Sequence, residues 1–424
     1  MKIIEGFAAA RSLVSDRASQ RETVIDEREQ WVRQAIADVR ERGDAALLDY
    51  TEKLDGVRLT SIEVDKAQVK QAYNKVDREL LGALELAAER IEAYHAKQKE
   101  SLLRERVDEG LGWLLRPLNS VGVHAPGFTA PLPSSLLMTA IPAKVAGVKE
   151  VVLVTPPGKQ GTVSPITLAA AGLAKVDRVF SIGGAQAIAA LAYGTESVPR
   201  VDKVCGPGNI YVSLAKKLVF GAVGIDGLYG PSEVIIIADD TADVEFCAAD
   251  LLAQAEHPAA SAILLTTSRK LADAVGNEVE RQLASFEKPE VAAKSLEENG
   301  FIAVVGTVDE AIEIANLYAP EHLCLVVADA DSYVDKVSNA GCLFVGENAI
   351  EVLVDYVAGP SHVLPTDGSA RFSSPLNITD FVKYMSLVTT SRTDMKKLGK
   401  AASVIARAEG LEAHARAAER RLER

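Results

Sequence analysis

The sequence predicts an α/β protein made of two Rossmann-like parallel-sheet domains, one inserted in the other, with helical extensions at the N- and C-terminal ends. Three observations lead there. The chain has 424 residues, more than the roughly 250 to 300 at which a single hydrophobic core stops growing, so at least two folded units are expected. The first hundred residues carry a helical rhythm, which gives way after about residue 120 to short Val- and Ile-rich runs. Each run is closed by Gly, Pro or Asp and followed by an Ala-rich stretch; strands apolar on both faces are strands covered by helices, hence parallel sheets.

The helical opening is plainest in RELLGALELAAERIEAYHAKQKESLL, where Leu80, Leu84, Ala87, Ile91 and Tyr94 fall on one stripe, with His95 expected at the surface. The strand candidates follow in order as EVVLVTPP, DRVFSIGG, DKVCGPGN, EVIIIADD, SAILLTTS, FIAVVGT, LCLVVADA and CLFVGE. So many strands require two sheets. The expected division is a helical extension over 1–25, an α/β domain from 26–121 and 231–365, an inserted α/β domain over 122–230, and a helical tail over 366–424. That tail ends EGLEAHARAAERRLER, suited to packing back or to reaching a partner subunit.

Apolar residues are 48% and charged residues 25%, the balance of a soluble globular enzyme rather than a disordered chain. A net charge of -13, with no basic run, argues against a nucleic-acid partner, which needs a surplus of Lys and Arg on one face. The opening MKIIEGFAAA is too short an apolar stretch for an exported leader, and no later segment approaches about 18 apolar residues, so no membrane association and a cytoplasmic location are expected. Cys205, Cys247, Cys324 and Cys342 lie far apart without CxxC spacing and read as buried, reduced thiols.

CGPGNIYVSLAKKL follows a strand and opens a helix, as a phosphate-binding turn does, because unpaired amides at a helix start attract anions. Gly206 and Gly208 lack the third glycine of the dinucleotide fingerprint, since Tyr211 stands there, and a plain tight turn fits equally well. SIGGAQAIAAL, with Gly183 and Gly184, is a second turn of this kind. Two such turns suggest a ligand crevice without naming the ligand.

Six histidines are few for this length and can be weighed singly. In LLAQAEH, Gln254 and His257 lie one helical turn apart and share a face, as two ligands of one ion or substrate would, or as a structural histidine at a helix end would. In YAPEHLCLVV, Glu321 and His322 precede a strand; neighbouring side chains on extended chain point to opposite sides, so one could act as a base while the other orients water or substrate. Asp355 and His362 flank the Gly359-Pro360 turn of VDYVAGPSHVLPT, and Pro365 stiffens the loop. Glu409 and His414, in the tail, read by themselves as solvated charges. Gln254, His257, Asp355 and His414 together would offer oxygen and imidazole donors without thiolate, a set suited to Zn²⁺, Mn²⁺ or Co²⁺, though spacing alone does not assemble them. No HExxH is present.

Taken in order, GPSEV, AQAEH, APEHL, DYVAGPSHVLPT and EGLEAH resemble the histidinol dehydrogenase family along nearly the whole chain. The resemblance implies two successive NAD-linked oxidations of L-histidinol to L-histidine through a bound aldehyde, L-histidinal, in the last steps of histidine biosynthesis. It implies one Zn²⁺ per subunit on Gln254, His257, Asp355 and His414, with His322 and Glu321 as the proton-transfer pair. Substrate contacts carried over are Ser232, Gln254, His257, His322, Glu351, Asp355, His362, Glu409 and His414; cofactor contacts, in the inserted domain, are His124, Gln186 and Asn209. It further implies a homodimer with exchanged tails, Glu409 and His414 completing the site of the other subunit.

The chain departs from the family pattern at His124, where a tyrosine is usual, at Phe128, where a glycine is usual, and at Leu353 and Val354, where smaller residues are usual and bulkier walls would reshape the pocket. The alternative is a paralogue oxidising another small alcohol, such as a sulfonated diol, with the same metal and base; Glu351 and Glu409 oppose it, because an anionic substrate would meet two acids. A zinc hydrolase using Glu321 as base predicts turnover without a nicotinamide. A non-catalytic metal-binding assembly protein leaves the Glu321–His322 pair unexplained.

Overall fold

The computed structural model describes residues 1–19, 27–108, 110–127 and 131–423. They form two compact units, one from Met1–Lys99 and Leu118–Phe381, the other from Glu100–Pro117 and Val382–Arg424.

The first unit holds two all-parallel sheets, the mixed α/β class the sequence predicts. The six-stranded sheet runs in the order Lys2–Glu5, Phe301–Val304, Ser261–Thr266, Glu233–Ala238, His322–Val326, Cys342–Val345. The five-stranded sheet runs Arg178–Phe180, Glu150–Val154, Ser120–His124, Lys203–Cys205, Gly224–Ile225. Both faces of the larger sheet are buried. Ile235, Ile237, Ile263, Leu323 and Leu325 pack on one side, and Val234, Ile236, Leu264, Ile302 and Cys324 on the other. Branched side chains at successive positions are what a strand covered on both faces requires.

Three local readings differ from the sequence expectation. Residues Lys2–Glu5 are an edge strand paired in parallel with Phe301–Val304, and only then does the Phe7–Ser19 helix begin; four residues are too short a run to announce a strand. The helices Glu27–Arg42 and Asp44–Asp55 place Val32, Ala35, Ile36, Val39 and Leu47 in the core of the five-stranded sheet, against Ile188 and Ala189. The opening helices thus cover the sheet expected to form the insert alone. The tail, expected to be helical from Asp380, begins with a four-residue 3₁₀ turn and then the strand Val382–Val388.

That strand pairs antiparallel with Leu111–Pro117, which pairs with Arg106–Asp108, giving the second unit a three-stranded sheet. Its helices Arg392–Ala408 and Glu412–Leu422 pack on each other, joined by Arg407 to Glu419 at 2.8 Å. Leu398, Val404 and Ile405 remain exposed. Among the described residues no helix is long and apolar enough to cross a membrane, and Cys205, Cys247, Cys324 and Cys342 are free thiols.

His95 also departs from expectation. In the Arg78–Leu102 helix the buried stripe is Leu84, Ala87, Ile91 and His95, while Leu80 and Tyr94 are exposed. The ring of His95 is fully buried, its Nδ1 lies 2.9 Å from the Ile91 carbonyl oxygen, and burial holds its pKa below the ordinary 6.5. A depressed imidazole binds fewer protons folded than unfolded, so its contribution to stability is present above about 6.5 and is lost as pH falls below it. In paired denaturant titrations, His95→Gln should show a shallower loss of stability between pH 6.5 and pH 5 than the parent chain; equal slopes would remove His95 from the cause.

Candidate active site

A helix that joins two parallel strands must run back against them. The Val244–Ala255 helix does so after the strand Glu233–Ala238, and its last turn carries Gln254, with His257 just beyond. Glu321 and His322 stand at the start of His322–Val326, the strand beside Glu233–Ala238 in the sheet, where His322 is level with Val234 and Cys342. Glu351 opens the short Glu351–Tyr356 helix, which also carries Asp355. A cavity of about 310 Å³ collects Ser232, His257, Glu321, His322, Glu351, Asp355 and His362. It lies beyond the amino ends of the strands.

Gln254 is fully buried, and its Oε1 is 3.2 Å from Nδ1 of His322. Nε2 of the same ring is buried and has no hydrogen-bond partner among the described residues. Glu351 Oε1 stands 3.4 Å from the same Nδ1. Burial pushes the His322 imidazole down to about 3 and the Glu351 carboxyl well above its usual range. Burial thus disfavours the charged form of both partners in this contact.

Burial likewise raises Glu321 well above the carboxylate range, against the pull of the Glu233 N–H, which donates to its Oε2 at 2.9 Å, and of the Ser232 hydroxyl. Asp355 is pushed up to about 6 by burial. His362 is pushed down to about 4; its Nδ1 donates to the Asp355 carbonyl oxygen at 2.8 Å, and its Nε2 is 3.3 Å from Ser135 Oγ. His257, although exposed, lines the same cavity and is also held low by desolvation.

Among the described residues no three His, Cys, Asp or Glu side chains converge as a metal cluster. Gln254, His257 and Asp355 belong to the first unit, whereas Glu409 ends one helix of the second unit and His414 lies exposed on the other.

A second cavity, of about 650 Å³, lies beyond the carboxyl ends of the five-stranded sheet. His124, Gln186 and Asn209 line it, with Gly183, Gly184 and Gly208. His124 donates from Nδ1 to the Pro207 carbonyl oxygen at 2.8 Å and is held neutral, with burial pushing it down to about 4. Gln186 is buried with Oε1 unpartnered among the described residues. Asn209 caps the Ile210–Val219 helix, its Oδ1 accepting from the Tyr211 and Val212 amides. The Gly184–Tyr193 helix has no side-chain cap, so its first amides are open to a ligand. Pro126, Leu132 and Gly208 line both cavities.

The family model described as histidinol dehydrogenase matches residues 18–422. The chain belongs to the histidinol dehydrogenase family. It is 53% identical to histidinol dehydrogenase of Dehalococcoides mccartyi (strain CBDB1) over 100% of both chains. It is 51% identical to that of Deinococcus radiodurans, over 93% of this chain and 91% of the relative. The crystal structure of histidinol dehydrogenase from Elizabethkingia anophelis matches with a TM-score of 0.93 at 35% identity, over 100% of this chain and 98% of that one. Membership in this family makes the chain an oxidoreductase.

Two of the departures from the family pattern do not touch the smaller cavity. Leu353 is exposed and Val354 packs in the core under the six-stranded sheet, and neither is among the lining residues. Phe128 lies outside the described residues.

Sequence reasoning missed the support of the glycine turn. Lys216 and Asp226 form an ion pair whose side chains are 2% and 0% exposed. Lys216 also donates to the Gly206 carbonyl oxygen at 3.1 Å and sits 4.6 Å from the Tyr229 ring centre, while Asp226 accepts from the Gly206 N–H at 2.7 Å. Gly206 needs no side chain here: its φ is +110°, and a Cβ would collide with the His124 carbonyl oxygen. Ten residues apart, the lysine and aspartate carry no local signal. The aromatic wall, Trp31 and Tyr211, and the acid Asp55 were missed for the same reason. Lys216→Met leaves Asp226 buried without its cation and should cost about 3–5 kcal/mol, read as a lowered denaturation midpoint; an unchanged midpoint would show the pair to be dispensable.

Proposed function

We propose that the protein oxidises L-histidinol to L-histidine in two NAD-linked steps through L-histidinal, with one Zn²⁺ per subunit. The observation that carries this reading is the buried imidazole of His322, its Nε2 without a hydrogen-bond partner among the described residues, in a cavity that also holds Glu321. The cavity beyond the five-stranded sheet suits a dinucleotide: its volume is in the range of cofactor sites, its helix start is uncapped, and the Gln186 carbonyl oxygen lacks a partner. The residues also suit zinc, offering a neutral imidazole on His257, a carboxyl group on Asp355 and the amide oxygen of Gln254.

Bound NAD supplies the hydride acceptor for each oxidation, and bound zinc holds the amino alcohol in place. His322 takes the hydroxyl proton at Nε2 as the carbon gives up hydride. Glu321 then takes a proton from the water that adds to the aldehyde carbon, while His322 returns its proton to the carbonyl oxygen and is free again as a base. The hydrate again presents an O–H and a C–H on one carbon, so His322 can act a second time. His362 and Ser232 line the substrate space, and Glu351 holds the far side of the His322 ring. Glu409 and His414 are assigned to the site of a second copy, a homodimer that the exposed Leu398, Val404 and Ile405 of the second unit support. Four free cysteines agree with a cytoplasmic location. Neither nucleic acid nor membrane is assigned as a partner.

With L-histidinol and NAD, the purified dimer should yield about two NADH per substrate consumed. His322→Asn should lower kcat about 10²- to 10⁴-fold with zinc content unchanged by metal analysis. Turnover of a sulfonated diol with histidinol inert would replace this reading by the paralogue.

A further inference from the structure

Two ions buried together are costly, and apolar side chains of similar volume in their place often leave a fold as stable. Stability alone therefore does not account for Lys216 and Asp226, whose side chains are sealed within the first unit. What apolar groups could not supply is directed bonds, and the pair aims these at two segments. On the first, Asp226 Oδ2 accepts from the Gly206 N–H at 2.7 Å, and Lys216 donates to the Gly206 carbonyl oxygen at 3.1 Å. On the second, Asp226 Oδ1 accepts from the Gly227 N–H at 2.8 Å and the carboxylate accepts from the Tyr229 hydroxyl, while the Lys216 ammonium stands 4.6 Å from the Tyr229 ring centre.

The two segments wall different cavities. Gly206 leads into Pro207, Gly208 and Asn209; Gly208 lines both cavities, Pro207 the smaller and Asn209 the larger. Tyr229 leads into Gly230 and Ser232, which line the smaller cavity with it. The Ser232 hydroxyl donates to Glu321, so three peptide steps separate the hold on Tyr229 from the acid assigned to the water step. The Ile210–Val219 helix ties the segments again. Asn209 caps its start, and Ser213 and Lys216, three residues apart on one face, both grip Tyr229, Ser213 Oγ donating to its carbonyl oxygen at 3.1 Å. The Gly230 N–H donates to Thr366 Oγ1 at 2.6 Å, fixing the next residue as well.

We propose that Lys216 and Asp226 are positioning residues for the oxidation: they hold the turn 206–209 and the segment 229–232 in one register, so that a dinucleotide against the turn and an alcohol beside Ser232 and Glu321 meet at reacting distance. This rests on the nicotinamide-linked reading above. Neither side chain lines either of the two cavities, and both act through Gly206 and Tyr229. A misplacement of about 1 Å between reacting groups costs about 10²-fold in rate.

The test compares the denaturation midpoint and the kinetics of NADH formation from L-histidinol in the whole protein and in three variants: Lys216→Met with Asp226→Leu, Tyr229→Phe, and all three changes together. The paired change removes both ions at once and should keep the midpoint near that of the parent chain, while kcat falls about 10- to 100-fold at unchanged zinc content. Tyr229→Phe keeps the ring and the ion pair and cuts only the hydroxyl bond; it should lower kcat about three- to tenfold at an unchanged midpoint. Because hydroxyl and carboxylate act as one unit, adding Tyr229→Phe to the paired change should cost nothing further, a coupling that a general loss of stability does not produce. The paired variant decides where its midpoint holds, and Tyr229→Phe decides where it does not. Parent-like kcat and KM in the deciding variant overturn the positioning role while the reading of the activity stands. A parent chain that makes no NADH from L-histidinol overturns that reading and this one with it.

Discussion

The return of a helix against its parallel strands is the constraint on which the reactive site depends. Because the Val244–Ala255 helix must come back beside the starts of the Glu233–Ala238 and His322–Val326 strands, Gln254 arrives next to His322 without any long-range device to bring it there. The amino edge of the sheet adds its own resource. The Glu233 N–H there is taken by Glu321, so the backbone fixes the acid as the helix fixes the imidazole. Ligand crevices of open α/β sheets usually sit at the carboxyl ends of the strands. The larger cavity follows that rule, and the smaller one inverts it.

Desolvation dominates the electrostatics of the smaller cavity. It drives the acids Glu321, Glu351 and Asp355 up and the imidazoles His257, His322 and His362 down, so each group is pressed toward its neutral form. A site of this kind holds its donors and acceptors ready without committing charge. The Lys216–Asp226 pair behaves oppositely: two buried ions facing each other, bound to both sides of Gly206, stiffen the turn that precedes Asn209.

The strands were legible because the VIIIA of EVIIIADD and the AILL of SAILLTTS are apolar at every position, the pattern of strands buried on both faces. Gln254, His257, Glu321 and His322 were legible as pairs, since spacing reports local geometry. The rest depended on contacts between distant segments. Lys2–Glu5 becomes a strand only because Phe301–Val304 offers an edge, and His95 is buried by what packs on its helix, not by its neighbours in sequence. Trp31, Leu54 and Asp55 reach a cavity whose other walls come from residues more than 60 positions later. Val382–Val388 is a strand because Leu111–Pro117 pairs with it, in a stretch whose surroundings read as helix.

Pro126, Leu132 and Gly208 are the described residues common to both cavities, and none of them carries an ionisable side chain. The two cavities are thereby separated on one scaffold: the side chains of the smaller descend from the amino edge of one sheet, those of the larger from the carboxyl edge of the other. Evolutionary drift in either set leaves the other's chemistry in place, so one chamber can change what it admits while the other keeps its shape.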